Sequence, residues 1–164
     1  MNRIRAGIGA AVVAVALAAG GFAASAAASA SGTRTVPETS LVTTVNSICE
    51  SYAPRLEAVP APSFDPSSAT AAELGQAVGY LEKVVPLEQS EQHAVDAAGR
   101  PSTDAALYSD VLGALAARVA DEATAETAAK RGDLSGFRAA FTKDEADSTR
   151  LSGIAQQFGL TRCA

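Results

Sequence analysis

The chain has 164 residues, with 18 acidic side chains against 13 Lys and Arg and a formal net charge of −5 at pH 7. This length suits one ordinary domain, and an acidic chain without a basic stripe is a poor partner for nucleic acid or anionic membrane surfaces. One histidine, two cysteines and no tryptophan leave few residue types for catalysis or cofactor binding.

The first thirty residues have the three-part layout of a secretory signal peptide. Arg3 and Arg5 give a positive start, an apolar stretch follows over residues 6–19, and Ala28-Ser29-Ala30 offers a cleavage site. A membrane anchor, the alternative, needs about 20 strongly apolar residues, and this segment is mostly Ala, Gly and Ser. We therefore expect cleavage after residue 30, no membrane insertion afterwards, and a protein that is secreted or retained in the cell wall. Loss of the two arginines changes the net charge from −5 to −7.

Export also predicts the state of the only two cysteines, Cys49 and Cys163. Disulfides form and persist in oxidising compartments, so the two thiols are expected to form one bridge that closes almost the whole mature chain. No cysteine lies near the cleavage site, where a lipid anchor would be attached.

Four later segments carry apolar residues at the spacing of a helix. Residues 31–42 are small and polar and predict a loose leader, which makes residues 43–164 the helical domain. A proline-rich loop separates the first two helices over residues 60–69. The four apolar stripes are Leu41, Val45, Ile48, Tyr52, Leu56 and Val59; Leu74, Val78, Leu81 and Val85; Tyr108, Leu112, Leu115 and Val119; and Phe137, Phe141, Leu151, Ala155 and Phe158.

Capping residues mark where these helices begin and end. Thr70-Ala71-Ala72-Glu73 predicts a capping box before the second helix, and Asp133 caps the fourth. Gly99 suits the left-handed position after the second helix, and Gly132 ends the third. Gly159-Leu160 predicts a Schellman-type end for the fourth. Since two connections are short, we expect an all-α antiparallel four-helix bundle closed by one disulfide.

Several short motifs in this helical region resemble a group of small secreted or lipid-anchored helical proteins from actinobacteria. The resemblance spans about residues 45–164 and rests on the paired cysteines and on an F-G-L-x-x-C tail. It implies an all-helical exported protein with a bridge between its ends, and it implies no activity or catalytic residues. Since this chain lacks a lipobox cysteine, a freely released form is favoured. The matching segments are Ile48-Cys49-Glu50, residues 56–62, Gly132-Asp133-Leu134 and residues 155–163.

Candidate residues for catalysis or metal binding are few. His93 shares a helical stripe with polar residues, which predicts a solvated surface histidine, and no G-x-S-x-G motif accompanies it. Glu88 and Glu91 are three residues apart, but a di-metal bundle needs a second histidine. We therefore expect no catalytic residues, no cofactor and no metal.

One pattern suggests a polar layer inside the bundle. The inner stripes turn polar at Glu122 on the third helix and at Asp144 and Ser148 on the fourth, and Tyr80 on the second falls at a similar height. Either such a layer binds a small cation or a polar ligand, or its side chains are splayed toward solvent or merely fix how the helices are aligned.

The sequence thus favours a secreted, non-enzymatic binding or interaction module with an unknown cell-envelope or extracellular partner. A carrier of haem or another small ligand is the first alternative. It requires a ligand from another helix, such as Tyr52 or Tyr108, because Tyr80 and His93 lie on different faces. A hydrolase that uses His93 is the second alternative.

Overall fold

The computed structural model describes residues 34–163, and this part of the chain is all-helical with one short pair of strands. The expected helical class is confirmed, whereas the predicted signal peptide, residues 1–30, lies outside the described residues. The elements are β1 Thr35–Val36, α1 Glu38–Glu57, α2 Leu74–Ala97, β2 Arg100–Pro101, α3 Ala105–Lys130 and α4 Leu134–Phe158.

The segment predicted as a loose leader, residues 31–42, differs from that expectation where it is described. Thr35 pairs with Arg100 in parallel β1 and β2, and α1 already begins at Glu38. Val36 and Leu41 are buried, so burial of these two apolar side chains outweighs the poor helix propensity of their neighbours. Gly99 permits the strand contact, because a Cβ atom there would lie 2.7 Å from the Arg34 carbonyl oxygen.

The disulfide between Cys49 and Cys163 is confirmed. It ties α1 to the tail that follows α4, and Asn46 supports the same junction from both ends of its amide. Its Nδ2 donates to the Gly159 carbonyl at 3.2 Å, and its Oδ1 accepts from the Arg162 amide at 3.0 Å. The ends of the described chain are therefore held by one covalent bond and two hydrogen bonds.

The predicted caps of α2 and α4 are also present. Thr70 and Glu73 form the capping box, although a 3₁₀ turn, Ala71–Glu73, precedes α2. Asp133 accepts a hydrogen bond from the Gly136 amide at 2.9 Å. At the other end of α4, Gly159 has a φ of 87°, and the Leu160 amide donates to the Ala155 carbonyl at 2.8 Å. This is the Schellman geometry that the sequence predicts.

The apolar core is divided into two clusters. The disulfide-side cluster is formed by α1, the end of α2, the beginning of α3 and the end of α4; Tyr108 and Phe158 stack in it with ring centroids 5.0 Å apart. The loop-side cluster is formed by the beginning of α2, the end of α3 and the beginning of α4, and includes Phe137 and Phe141. The connection between α1 and α2 covers this second cluster, where Arg138 Nε donates to the Ala69 carbonyl at 2.9 Å.

Candidate functional site

Between the two clusters lies a layer of buried charged side chains, which we call the polar layer. Its five carboxyl groups come from three helices, and none is more than 9 % exposed. A guanidinium from α3, which is largely buried, lies among them. The members are Glu88 and Glu91 on α2, Arg118, Asp121 and Glu122 on α3, and Asp144 on α4.

Two ion pairs neutralise part of this layer. Arg118 Nη2 lies 2.9 Å from Glu88 Oε1, and Lys143 Nζ lies 2.7 Å from Asp121 Oδ1. The first pair is internal, whereas the second reaches solvent because the Lys143 side chain is 65 % exposed. Among the residues the structure describes, Arg118 is thus the one cation in the polar layer itself. It interacts electrostatically with carboxyl groups from α2, α3 and α4.

Glu122 and Glu88 place their buried carboxyl groups against each other, and one oxygen of each, Glu122 Oε2 and Glu88 Oε2, has no other hydrogen-bond partner. Burial, together with the hydrogen bond and the charge of Glu88, raises the pKa of Glu122 to about 10. Arg118 opposes this shift, and Asp144 adds to it. Two carboxylates in contact cannot both ionise without strong repulsion, so the pair shares a proton. Glu122 is therefore the neutral partner at pH 7, and Arg118 lies against Glu88.

Glu91 lies at the edge of the same layer. Burial raises its pKa to about 7, against the attraction of Arg118 and with a further contribution from Glu88. This places a second carboxyl group of the layer at its midpoint of ionisation near neutral pH. The chemistry available to the polar layer is therefore the uptake and release of protons by groups that water reaches poorly.

Within residues 34–163, no three or more His, Cys, Asp or Glu side chains are arranged to hold a metal ion.

The structure brings together two of the four predicted polar-layer residues. Glu122 and Asp144 are buried and interact electrostatically. Ser148 is half-buried one turn after Asp144 on α4. Tyr80 lies eight residues before Glu88, about 12 Å along α2, and packs against the loop-side cluster. The groups whose charges act on Glu122 are Glu88, Arg118 and Asp144.

Sequence reasoning missed Glu88, Glu91, Arg118 and Asp121 as members of the layer, although the spacing of the two glutamates contains the signal. Leu81, Val84, Glu88, Glu91 and Val95 follow one another on α2 at alternating steps of three and four residues, and all five are buried. Two charged residues in such a run occupy core positions. A charge at a core position of one helix requires a partner from another.

His93 is exposed on α2, as its polar stripe predicts. Tyr108, named as a possible haem ligand, is fully buried, and its hydroxyl donates to the Val95 carbonyl at 3.0 Å. Burial raises the pKa of this phenol to about 12. In this structure Tyr108 packs inside the disulfide-side cluster.

A separate surface groove lies between the proline-rich connection and the first turns of α2. Its volume is about 360 Å³, within the range of small-molecule sites. Lys83 is the one charged residue in its lining, and Tyr80 is the one aromatic residue. The complete lining is Val59, Pro60, Ala61, Pro62, Ser63, Gln76, Gly79, Tyr80 and Lys83.

No protein family, curated protein or solved structure matches this chain. Of the helices between residues 34 and 163, none combines the length and the apolar character needed to cross a membrane.

Proposed function

We propose that this chain is an exported, non-enzymatic binding module that acts outside the cell, either secreted or held in the cell wall. In this proposal residues 1–30 are a signal peptide, and the four helices form an antiparallel bundle closed by the Cys49–Cys163 disulfide. Membership of the small actinobacterial helical proteins with an F-G-L-x-x-C tail is part of the same proposal. The disulfide supports export, because such bridges persist in oxidising compartments.

The groove beside the proline-rich connection is the observation that carries the binding function. It offers an aromatic side chain, Tyr80, together with the polar groups of Ser63, Gln76 and Lys83. A concave site with an apolar wall and few polar groups is typical of ligand recognition. Because Lys83 is the charged residue of the lining, the groove favours a small ligand, or an exposed group of a partner, that carries a negative charge.

A capture experiment tests this function. The mature protein is immobilised and incubated with extract of the native cell envelope and with culture medium, beside the variants Tyr80→Ala and Lys83→Ala. We expect a specific partner or ligand on the wild-type protein and its loss from both variants. His93→Ala is the matched control, because His93 is also exposed on α2 but lies outside the groove.

The alternatives give different results in parallel assays. A haem carrier would change the absorbance of haemin on titration, and a hydrolase would show activity that His93→Ala abolishes. If the groove variants retain the captured partner, the binding surface lies elsewhere. If nothing specific is captured from either source, the binding-module proposal is wrong.

Export is tested separately by the intact mass of the protein recovered from outside the cell. We expect a chain that begins at Ser31 and is lighter by two hydrogens than its reduced form. A species that retains residues 1–30, or that reacts with iodoacetamide when denatured without reductant, would contradict the export proposal.

A further inference from the structure

The polar layer contains more acid than base, which makes its charge balance depend on bound protons. Glu88, Glu91, Glu122 and Asp144 share one internal cation, Arg118, while Asp121 is paired with Lys143 at the surface. Full ionisation would leave several like charges in a region that water does not reach. Uncompensated buried charges are strongly unfavourable, so the layer is stable only while protons occupy part of these carboxyl groups.

The position of the layer determines which contact this charge would disturb. Glu88 and Glu91 lie on α2, and their partners Arg118 and Glu122 lie on α3, with Asp144 approaching from α4. Between Glu88 and Glu91, α2 contacts α1 through an uncharged hydrogen bond of 2.7 Å between Ser90 and Tyr52. Repulsion within the layer would therefore act mainly between α2 and α3.

We propose that the pair of buried carboxyl groups of Glu88 and Glu122 is a proton-binding clasp, which closes the middle of α2 against α3 when protonated and opens when the proton is lost. The two apolar clusters and the disulfide would hold the helices at either end, so opening would be local. The clasp is independent of the groove and of the binding function proposed above.

The direction of the pH effect follows from the two raised pKa values. The folded chain retains protons on Glu91 and Glu122 at pH values where the unfolded chain has lost them, since an ordinary glutamate has a pKa near 4.5. The folded state then binds more protons than the unfolded state, and its stability falls as the pH rises. This loss begins near pH 4.5, includes the Glu91 contribution up to about pH 7 and continues through the Glu122 contribution toward about pH 10.

The decisive measurement is an NMR titration of the Glu122 side-chain carboxyl carbon in the wild-type protein. We expect this carbon to remain in its protonated position at pH 7 and to shift only in alkaline solution. Titration of Glu122 below about pH 5, as for a solvated glutamate, would overturn the proposal.

Amide hydrogen exchange tests the opening itself, after correction for the intrinsic dependence of exchange on pH. Protection at the middle of α2 and α3 should fall from about pH 5 to pH 9, while protection in the apolar clusters changes less. Glu122→Gln mimics the protonated acid and should abolish most of this local pH dependence. Glu82→Gln, an exposed residue on α2, is the matched control and should retain it. An unchanged pH dependence in Glu122→Gln would refute the clasp, and should that variant not fold, the wild-type titration still decides.

Discussion

Reduction of the Cys49–Cys163 disulfide is expected to loosen α1 and the tail while leaving much of α2 to α4 in place. The bridge spans 114 residues of chain. Loss of loop entropy in the unfolded state alone predicts a stabilisation of about 5 kcal/mol for such a span, whereas measured values commonly fall between about 2 and 4 kcal/mol. Even the lower value is a large part of the roughly 5 to 15 kcal/mol that stabilises a domain.

The packing of the helices indicates which of them lose stability when the disulfide is reduced. α1 contributes Leu41, Val45 and Cys49 to the disulfide-side cluster, and its later residues are exposed or half-buried. By contrast, α3 packs against both α2 and α4 along their lengths. Without the bridge, α1 is held by this apolar contact, by its contacts with α2 and β2, by the hydrogen bond that Thr103 donates to Glu38, and by the two hydrogen bonds of Asn46 to the tail.

Hydrogen exchange before and after reduction measures this effect residue by residue, with Cys49→Ala/Cys163→Ala as a control for the reductant. Selective loss of protection in α1 and after Gly159 supports the reasoning. A uniform loss across all four helices would show that the bridge supports the whole fold. Unchanged protection would show that the cysteines contribute little, and either result would refute the localisation argued here.

Three further substitutions follow from the same structure. Arg118→Leu should lower the free energy of unfolding in urea by about 3 to 5 kcal/mol, because Glu88 would be left buried without its cation. The double variant Arg118→Leu/Glu88→Leu should recover much of this loss. If it recovers none, the pairing is contradicted. His93→Ala should change the unfolding free energy by less than about 0.5 kcal/mol, since the residue is exposed; a larger loss would reveal a partnered histidine. Gly159→Ala should cost about 1 kcal/mol in thermal unfolding because its φ of 87° is left-handed, and a neutral result would show that the turn after α4 relaxes freely.

The parts of the fold that were predictable from sequence depend on chemistry within a few residues. Asp133 caps α4 through the amide of Gly136, three positions later. Gly159 and Leu160 close the same helix through a bond to Ala155. Such contacts are nearly independent of tertiary structure, so the residue types alone identify them.

The start of the domain and the membership of the polar layer were not predictable in this way. Val36 and Leu41 are buried in a cluster that includes residues far along the chain, such as Tyr108 and Phe158. Glu88 becomes buried because Arg118 and Glu122, on another helix, approach it. The spacing of Glu88 could have identified it as a core position, but its partners depend on how α2 is aligned with α3.

That alignment also gives a structural reason for a layer that costs stability. Four of the ten buried positions of α3 are alanine, namely Ala114, Ala125, Ala128 and Ala129. Small side chains interlock weakly, so the apolar contacts alone distinguish poorly between neighbouring alignments. A shift of one turn, about 5.4 Å, would carry Arg118 away from Glu88 and break this buried pair. The ion pair and the shared proton therefore penalise such a shift. Apolar residues in the same layer would join the two clusters and raise stability, but they would remove this penalty.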